Sequence, residues 1–324
     1  MCQPCEMLYN RFLDVTAFVS LPVKIFTMVI VLRYTPQNMR FLSFFLLNGL
    51  AWNFGGNMMC AFVHVYPMYP AQCFRIDGLV GILENELLGH IMLLLLFVCI
   101  LNCIIALMTT FTYRYFIYMY ANEAKYLDHR YAFIVCLTLH SGTTALTVFF
   151  YIQWMTSLGG YRGEDDSKYT YCFKPDGWQK KVALYTTCVV VGVSILIAAS
   201  FSIKLFISIK RTKGNTQRTN FNNRNRILWT LATVSSCPLF FGAVPLIIAV
   251  ITSLEPNVPH GSQICLVCIS MLANHGTLYA VSLILSMKPY RKAAVHVLKK
   301  FSFRRPYNNA TSAKPLFFIG VRNR

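Results

Sequence analysis

Long apolar segments separated by short polar ones run along the whole chain. A helix that crosses a bilayer needs about 20 mostly apolar residues. Seven windows meet this requirement, at residues 12–32, 41–66, 87–111, 131–158, 182–203, 227–254 and 263–287. The first window is the weakest, because Asp14 and Lys24 interrupt it. The pattern predicts an all-α membrane protein, a bundle of seven transmembrane helices preceded by a short segment at residues 1–11.

A different pattern follows the seventh window, in residues 288–324. Pro289 suits the first turn of a new helix, and apolar residues then recur at the spacing of one helical face, with basic residues on the remaining arc. The opening residues are Pro289, Tyr290, Arg291 and Lys292, and the apolar positions are Ala294, Val297, Leu298 and Phe301. We expect a basic amphipathic helix on anionic inner-leaflet lipids, followed by a basic tail. Calmodulin-binding helices show the same pattern.

Composition supports a membrane protein. The 324 residues are 56% hydrophobic and only 13% charged, whereas soluble domains are about a quarter charged. The net charge of +18 could indicate nucleic-acid binding. The Lys and Arg residues lie in short segments between the apolar runs, however, and this placement favours anionic lipid as the partner rather than nucleic acid.

The distribution of charge predicts the orientation. Alternate connecting segments carry 22 Lys and Arg residues on one side of the membrane and 7 on the other, and the acidic residues are distributed in the opposite way. Cytoplasmic loops are enriched in Lys and Arg. We therefore expect the N-terminus outside the cell and the C-terminal tail in the cytoplasm, in a multi-pass protein of the plasma membrane.

The orientation assigns the cysteines to compartments. Cys73 and Cys172 lie in two segments expected to face the oxidising exterior, where disulfides persist. We predict that they form a disulfide; the alternatives are two free thiols or pairing with Cys2 or Cys5. Cys265 and its CxxC partner lie within an apolar window, so no metal site is expected.

Arg114 is enclosed by Tyr113 and Tyr115 at the expected cytoplasmic end of the third span. Arginine and tyrosine both favour the headgroup layer, so the group could be an interface anchor. The other interpretation is a switch that couples the helix bundle to a cytoplasmic partner. No acidic residue lies between Asp176 and Glu255, so a salt bridge from Arg114 to the base of the sixth span is excluded.

Ligand-site candidates lie inside the bundle, because the N-terminal segment is too short for a separate binding domain. Glu86 and His90, spaced i and i+4 near the outer end of the third span, could face a cavity, although Glu86 could simply complement the helix N-terminus. His140 and His275 lie deeper and are functional candidates as intramembrane ionisable residues. The alternative is that each is a neutral histidine bonded to a neighbouring helix.

Two prolines interrupt the sixth span. Pro238 and Pro245 each remove a backbone hydrogen bond and favour a kink. The functional interpretation is a hinge that moves the cytoplasmic half of the helix. A static kink is the alternative, since proline is common in membrane helices.

Four segments together resemble a nematode serpentine chemoreceptor. They are TPQNMRFLSFFLLN, YPAQCFRIDG, FTYRYF and NHGTLYAVSLILSMKPYRKA. The order and topology are similar to the Str superfamily, and the His-Gly followed by Pro-Tyr-Arg resembles its Srh and Sri branches. The resemblance implies a small-molecule ligand, a heterotrimeric G protein and the ciliary membrane of sensory neurons. Unlike rhodopsin-like receptors, the chain has no acidic residue directly before Arg114, where Tyr113 stands, and no Asn-Pro-x-x-Tyr in the seventh span.

The sequence therefore predicts a G-protein-coupled chemoreceptor that binds a small ligand in the outer half of the bundle and serves sensory transduction such as olfaction. A secondary transporter is the alternative, with Asp14, Lys24 and the histidines as relay candidates. No constellation of nucleophile and base and no phosphate-binding loop is present, so we expect neither an enzyme nor a cofactor.

Overall fold

The computed structural model describes residues 3–78, 85–119, 129–156, 170–175, 177–211, 234, 237–255 and 257–302. Within these residues the chain forms eight α-helices, a π-helical segment, one turn of 3₁₀-helix and a small sheet. The 3₁₀ turn, Gln37–Met39, leads from the first helix into the second. The predicted tail beyond residue 302, and Cys2, lie outside the described residues.

A helix overlaps each of the seven predicted windows, although residues 227–233, 235 and 236 of the sixth window lie outside the described residues. The helices are α1 Gln3–Tyr34, α2 Arg40–Val63, α3 Glu86–Met119, α4 His129–Trp154, α5 Trp178–Arg211, α6 Val244–Leu254 and α7 Gly261–Ser286. Several extend beyond the apolar windows, most of all α1 and α5. Hydropathy detects the part of a helix that matches the lipid thickness, and a helix can continue past it.

Five of the described helices, α1, α3, α4, α5 and α7, are long and apolar enough to cross a membrane by length and composition. Helix α2 carries Asn48, Asn53 and Asn57, which lower its hydropathy. All three amides make hydrogen bonds to neighbouring helices. The polar side chains of α2 are thus used inside the bundle rather than exposed to lipid.

The sixth span is irregular between its two prolines. Pro238 precedes the π-helical segment Leu239–Ala243, and Pro245 lies in the first turn of α6. The Val244 N–H donates to the carbonyl of Leu239, five residues earlier. Pro245 has no N–H to continue the regular ladder, so the backbone widens by one residue here. Single π turns of this kind interrupt α-helices mainly at functional sites.

A three-stranded antiparallel sheet covers one end of the bundle. Its strands are β1 Val65–Pro67, β2 Cys73–Ile76 and β3 Thr170–Cys172, with β2 in the centre. Residues 65–66, predicted as the end of the second span, belong to β1, and the sequence pattern did not predict the sheet because strands of three or four residues are too short to show alternation. His64, in a left-handed conformation, ends α2.

Cys73 lies directly opposite Cys172 in the sheet, and the two form the predicted disulfide. The bond links the segment before α3 to the segment before α5. It therefore holds β3 against β2 and fixes the position of the sheet over the helix ends.

Helix α3 lies centrally and packs against α2, α4 and α5, whereas α7 packs against α1, α2 and α6. An eighth helix, α8 Lys288–Ser302, follows α7 at the end of the bundle opposite the sheet and packs against α1 and α7. We call these two ends of the molecule the sheet end and the α8 end.

Candidate functional site

A cavity of about 340 Å³ lies between α2, α3, α5, the π segment and α7. Its lining runs from Trp52 to Cys60 on α2 and from Cys99 to Phe111 on α3, so the cavity lies around the middle of the bundle. Most lining residues are apolar, and a few polar ones, such as Asn53, Ser194 and His275, are among them. The volume and the lining match a small-molecule site.

A chain of hydrogen bonds forms one wall of this cavity. Lys24 of α1, which is fully buried, donates to the carbonyl oxygen of Asn53 at 3.2 Å and also to its side-chain oxygen. The Asn53 amide lies 2.8 Å from His275 Nε2, and His275 Nδ1 lies against the Leu272 carbonyl. We call Lys24, Asn53 and His275 the polar relay. It joins α1, α2 and α7.

The polar relay has a definite direction. His275 Nδ1 faces a carbonyl, which can only accept, so Nδ1 carries the proton and Nε2 accepts from the Asn53 amide. The Asn53 side-chain oxygen then accepts from Lys24. Every bond in the chain points from α1 toward α7, and the buried ammonium group is solvated by Asn53.

Gly276 allows the polar relay to form. A Cβ atom at this position would overlap the side-chain amide of Asn53. The absence of a side chain lets α2 approach α7 closely enough for Asn53 to bond both Lys24 and His275. One turn along α2, Asn57 bonds Ser20 Oγ and the Ala273 carbonyl and holds the same three helices together.

The polar relay also touches the irregular part of the sixth span. A Cβ at Gly242 would lie 3.3 Å from the His275 ring, so this glycine of the π segment packs directly against the histidine. Pro238 lines the cavity as well. The two prolines predicted as hinges thus flank the segment that contacts the relay.

His140 is part of a separate polar cluster. Its Nδ1 lies 2.6 Å from the Asn102 side-chain oxygen and its Nε2 lies 2.8 Å from the Asn48 amide. The ring also stacks on Trp52, with centroids 5.5 Å apart. Both ring nitrogens make contacts that join α2, α3 and α4. This geometry fits the alternative given for His140, a histidine bonded to neighbouring helices.

Arg114 points into the bundle at the α8 end. Its Nε and Nη2 atoms are buried and have no hydrogen-bond partner among the described residues. The guanidinium lies near Tyr279 of α7 and Tyr290 of α8. Burying a guanidinium without a hydrogen-bond acceptor costs free energy. A hydrogen bond from Arg114 to an acceptor outside the described residues would therefore be favourable.

The two tyrosines beside Arg114 face different helices. Tyr113 stacks on Phe45 of α2 at a centroid distance of 4.7 Å, and Tyr115 stacks on Phe201 of α5 at 4.5 Å. They hold the end of α3 between its neighbours and leave Arg114 directed toward α7 and α8.

Helix α8 packs on the bundle more closely than a helix that only lies on lipid. Tyr290 is fully buried and its hydroxyl lies 3.1 Å from Thr35 Oγ1. Arg291 donates to the Leu285 carbonyl at the end of α7. Lys292 and Leu298 are exposed. One face of α8 therefore contacts the bundle, and an exposed face combines basic and apolar side chains.

Glu86 and His90 lie at the sheet end and do not line the cavity. Glu86 is exposed at the start of α3. His90 is buried, 3.0 Å from the Tyr151 hydroxyl, and its ring packs edge-on against Tyr171 and Phe173. The predicted pair is thus separated from the cavity by the residues beneath the sheet.

Charged side chains attach the start of α1 to the sheet. Arg75 of β2 bonds Glu6 at 2.7 Å and Asp77 at 2.8 Å, and its guanidinium lies over the Tyr66 ring. The hydrogen bonds to Asp77, and secondarily to Glu6, raise the pKa of Arg75 although burial opposes them. Asp14, farther along α1, lies 3.3 Å from His64.

The sequence pattern singles out Lys24 and His275 separately, and neither Asn53 nor Gly276 is among the candidates that it indicates. The available signal was the Asn-His-Gly run at residues 274–276 together with a lysine in the first span. Spacing within a helix cannot reveal a contact between helices, so this signal did not identify the site.

Comparison with known proteins identifies one family over nearly the whole chain. The family described as "Serpentine type 7TM GPCR chemoreceptor Srh" matches residues 6–300. No curated protein matches the chain.

Proposed function

Since the chain belongs to the Srh family of serpentine type 7TM GPCR chemoreceptors, and is thus a multi-pass membrane protein, we propose that it binds a small chemical ligand in the cavity beside His275. Binding is transmitted to a heterotrimeric G protein at the α8 end. The observation that carries this proposal is the polar relay, because its Asn53 and His275 line the apolar cavity and its His275 packs against the π segment of the sixth span.

The sheet end faces the exterior in this proposal, and the α8 end faces the cytoplasm. The excess of Lys and Arg in alternate segments supports this orientation. The disulfide at the sheet end agrees with an oxidising exterior. The cell location that follows from the family is the ciliary membrane of sensory neurons.

The ligand acts by changing the contact between His275 and Gly242. A ligand group that bonds His275 or Asn53 competes with the polar relay and shifts the His275 ring. Gly242 has no side chain to absorb such a shift, and the π segment between Pro238 and Pro245 has an interrupted hydrogen-bond ladder. The part of the sixth span on the α8 side of Pro238 then moves relative to α5 and α7.

The cytoplasmic partner contacts the region around Arg114. Its Nε and Nη2 atoms, which have no hydrogen-bond partner within the described part of the chain, lie near Tyr279 and Tyr290. A carbonyl or carboxylate of the G protein can supply the missing acceptors once the sixth span has moved. The exposed Lys292 and Leu298 of α8 contact anionic inner-leaflet lipids and keep the helix in place.

The test is a ligand screen in cells that express the receptor, read through a second messenger. Once a ligand is found, His275→Phe should abolish the response at normal surface density. Leu278→Ala, on an exposed position of the same helix, is the matched control and should respond normally. Wild-type-like activation of His275→Phe would show that the ligand acts elsewhere.

A secondary transporter remains the second candidate because Lys24 and His275 form a continuous hydrogen-bonded chain across the bundle. Asp14, the third relay candidate, lies away from this chain beside His64. Uptake of a radiolabelled ligand into sealed vesicles separates the two functions. A receptor activates the G protein without moving its ligand across the membrane.

A further inference from the structure

The route from the sheet end to the cavity is filled by side chains. Beneath the sheet, a cluster of buried residues draws members from the sheet and from α2 to α6; they include Val63, Leu93, Tyr151, Tyr171, Phe173 and Val250. Phe173 is fully buried and Leu93 is 1% exposed. Ile100 and Leu246 pack against this cluster and also line the cavity. The cluster therefore lies directly between the cavity and the sheet end.

The side of the bundle offers a different route. Phe240 of the π segment and Ala199 of α5 both line the cavity. Both side chains are also exposed, Phe240 with 61% of its surface accessible. The exposure of two residues of the cavity wall points to a thin part of that wall. We call the space between Ala199 and Phe240 the lateral portal.

Small side chains widen the lateral portal. Ala198 and Ser202 flank Ala199 on the cavity side of α5. Across the gap, the π turn interrupts the regular backbone of the sixth span at Leu239–Ala243. Phe240 has the largest side chain among these portal residues, and that side chain is exposed.

We propose that the ligand is an uncharged, membrane-soluble small molecule that enters the cavity from the lipid through the lateral portal. This inference rests on the proposed receptor function and specifies its ligand class. A charged molecule is excluded because it would have to leave water for the hydrocarbon layer. The apolar body of the ligand occupies the space along α3 and α5, and one hydrogen-bonding group meets Asn53 or His275 on the opposite wall.

Access can be measured without a known ligand, because Cys99 lines the cavity. The purified receptor in lipid nanodiscs is treated with methyl methanethiosulfonate, which is neutral and lipid-soluble, or with trimethylammonium-ethyl methanethiosulfonate, which is charged and enters only through water. The rate of Cys99 modification is followed by tandem mass spectrometry. Cys188, a half-buried thiol on α5 outside the cavity lining, serves as the internal reference.

The neutral reagent should modify Cys99 and the charged reagent should not. Ala199→Phe should slow the neutral reagent at least about tenfold, for which an added barrier of about 1.4 kcal/mol suffices, while Phe240→Ala should speed it. Leu196→Phe places the same phenylalanine side chain at an exposed position of α5 outside the cavity lining and should leave the rate unchanged.

Three results would each overturn the proposal. They are modification of Cys99 by the charged reagent at the rate of the neutral one, rates that do not change in either portal variant, and an unmodified Cys99 under conditions that modify Cys188. The measurement does not involve the G protein. A receptor that fails to signal could still confirm the portal, and a signalling receptor could still refute it.

Discussion

Replacement of Gly276 by alanine tests the polar relay most directly. The added methyl group would occupy the space of the Asn53 side-chain amide. Both partners lie on packed helices, α2 and α7, so the backbone cannot separate at low cost. We expect the Asn53 side chain to leave its position and to lose its contacts with Lys24 and His275.

The expected cost has two parts. Overpacking a tightly packed core by a methyl group costs about 1–3 kcal/mol. The bond from Lys24 to the Asn53 side chain involves a charged group, and such bonds contribute about 1.5–3 kcal/mol. Together the two parts amount to about 2.5–6 kcal/mol. At about 2 °C per kcal/mol, the lower end of the range for domains of 150–250 residues, the melting temperature falls by at least roughly 5 °C.

Thermal unfolding of the purified receptor, followed by intrinsic tryptophan fluorescence, measures this loss. Gly142→Ala is the matched control, because a Cβ at that helical glycine would meet nothing within 4 Å. That substitution should be neutral or stabilising by about 0.5–1 kcal/mol, as alanine favours a helix more than glycine does.

A double variant separates overlap from other causes. In an Asn53→Ala background the overlap partner is absent, so adding Gly276→Ala should cost little further stability. The two substitutions should therefore be non-additive by about 0.5–3 kcal/mol, the range found for residues in contact. An unchanged melting temperature of Gly276→Ala, or strictly additive effects, would refute the geometry described for the relay.

Three further predictions concern the two ends of the bundle. Removing Cys73 or Cys172 should reduce surface expression or ligand response, because loss of a native disulfide typically lowers the free energy of unfolding by about 2–5 kcal/mol. Peptide mapping under non-reducing conditions that finds both thiols free would contradict the pairing. An N-terminal epitope tag should stain intact cells and a C-terminal tag should stain only permeabilised ones, and the reverse pattern would contradict the proposed orientation. Arg114→Lys should keep surface expression and ligand binding near wild type while G-protein activation falls severely. The reason is that an ammonium group lacks the donor fork of a guanidinium. Normal activation at equal surface density would indicate that Arg114 is an interface anchor.

The helices follow from local sequence properties. A long apolar segment in lipid must satisfy its own backbone hydrogen bonds, and a helix does so within the segment. The windows at residues 87–111 and 263–287 therefore identified α3 and α7 before any packing was known. The short strands β1 and β3 have no such local signal, since their hydrogen bonds come from β2.

The disulfide could be predicted from the sequence only in part. Compartment and charge placed Cys73 and Cys172 on the same side of the membrane, and this was enough to predict a pair. The sequence could not show that the pair would join two strands of a sheet. That sheet closes the end of the bundle where Glu86 and His90 were expected to meet a ligand, so the candidate site moves deeper into the bundle.

By itself the sequence determined the number of helices, the amphipathic helix after the seventh span and the positions of the ionisable residues within the spans. Only the tertiary structure decided which of those residues meet. Lys24, Asn53 and His275 lie on three different helices, and their contact depends on how closely α2 approaches α7 at Gly276. The physical reason is that helical periodicity specifies the face of a residue along its own helix, whereas the neighbour of that face is set by the packing of the whole bundle.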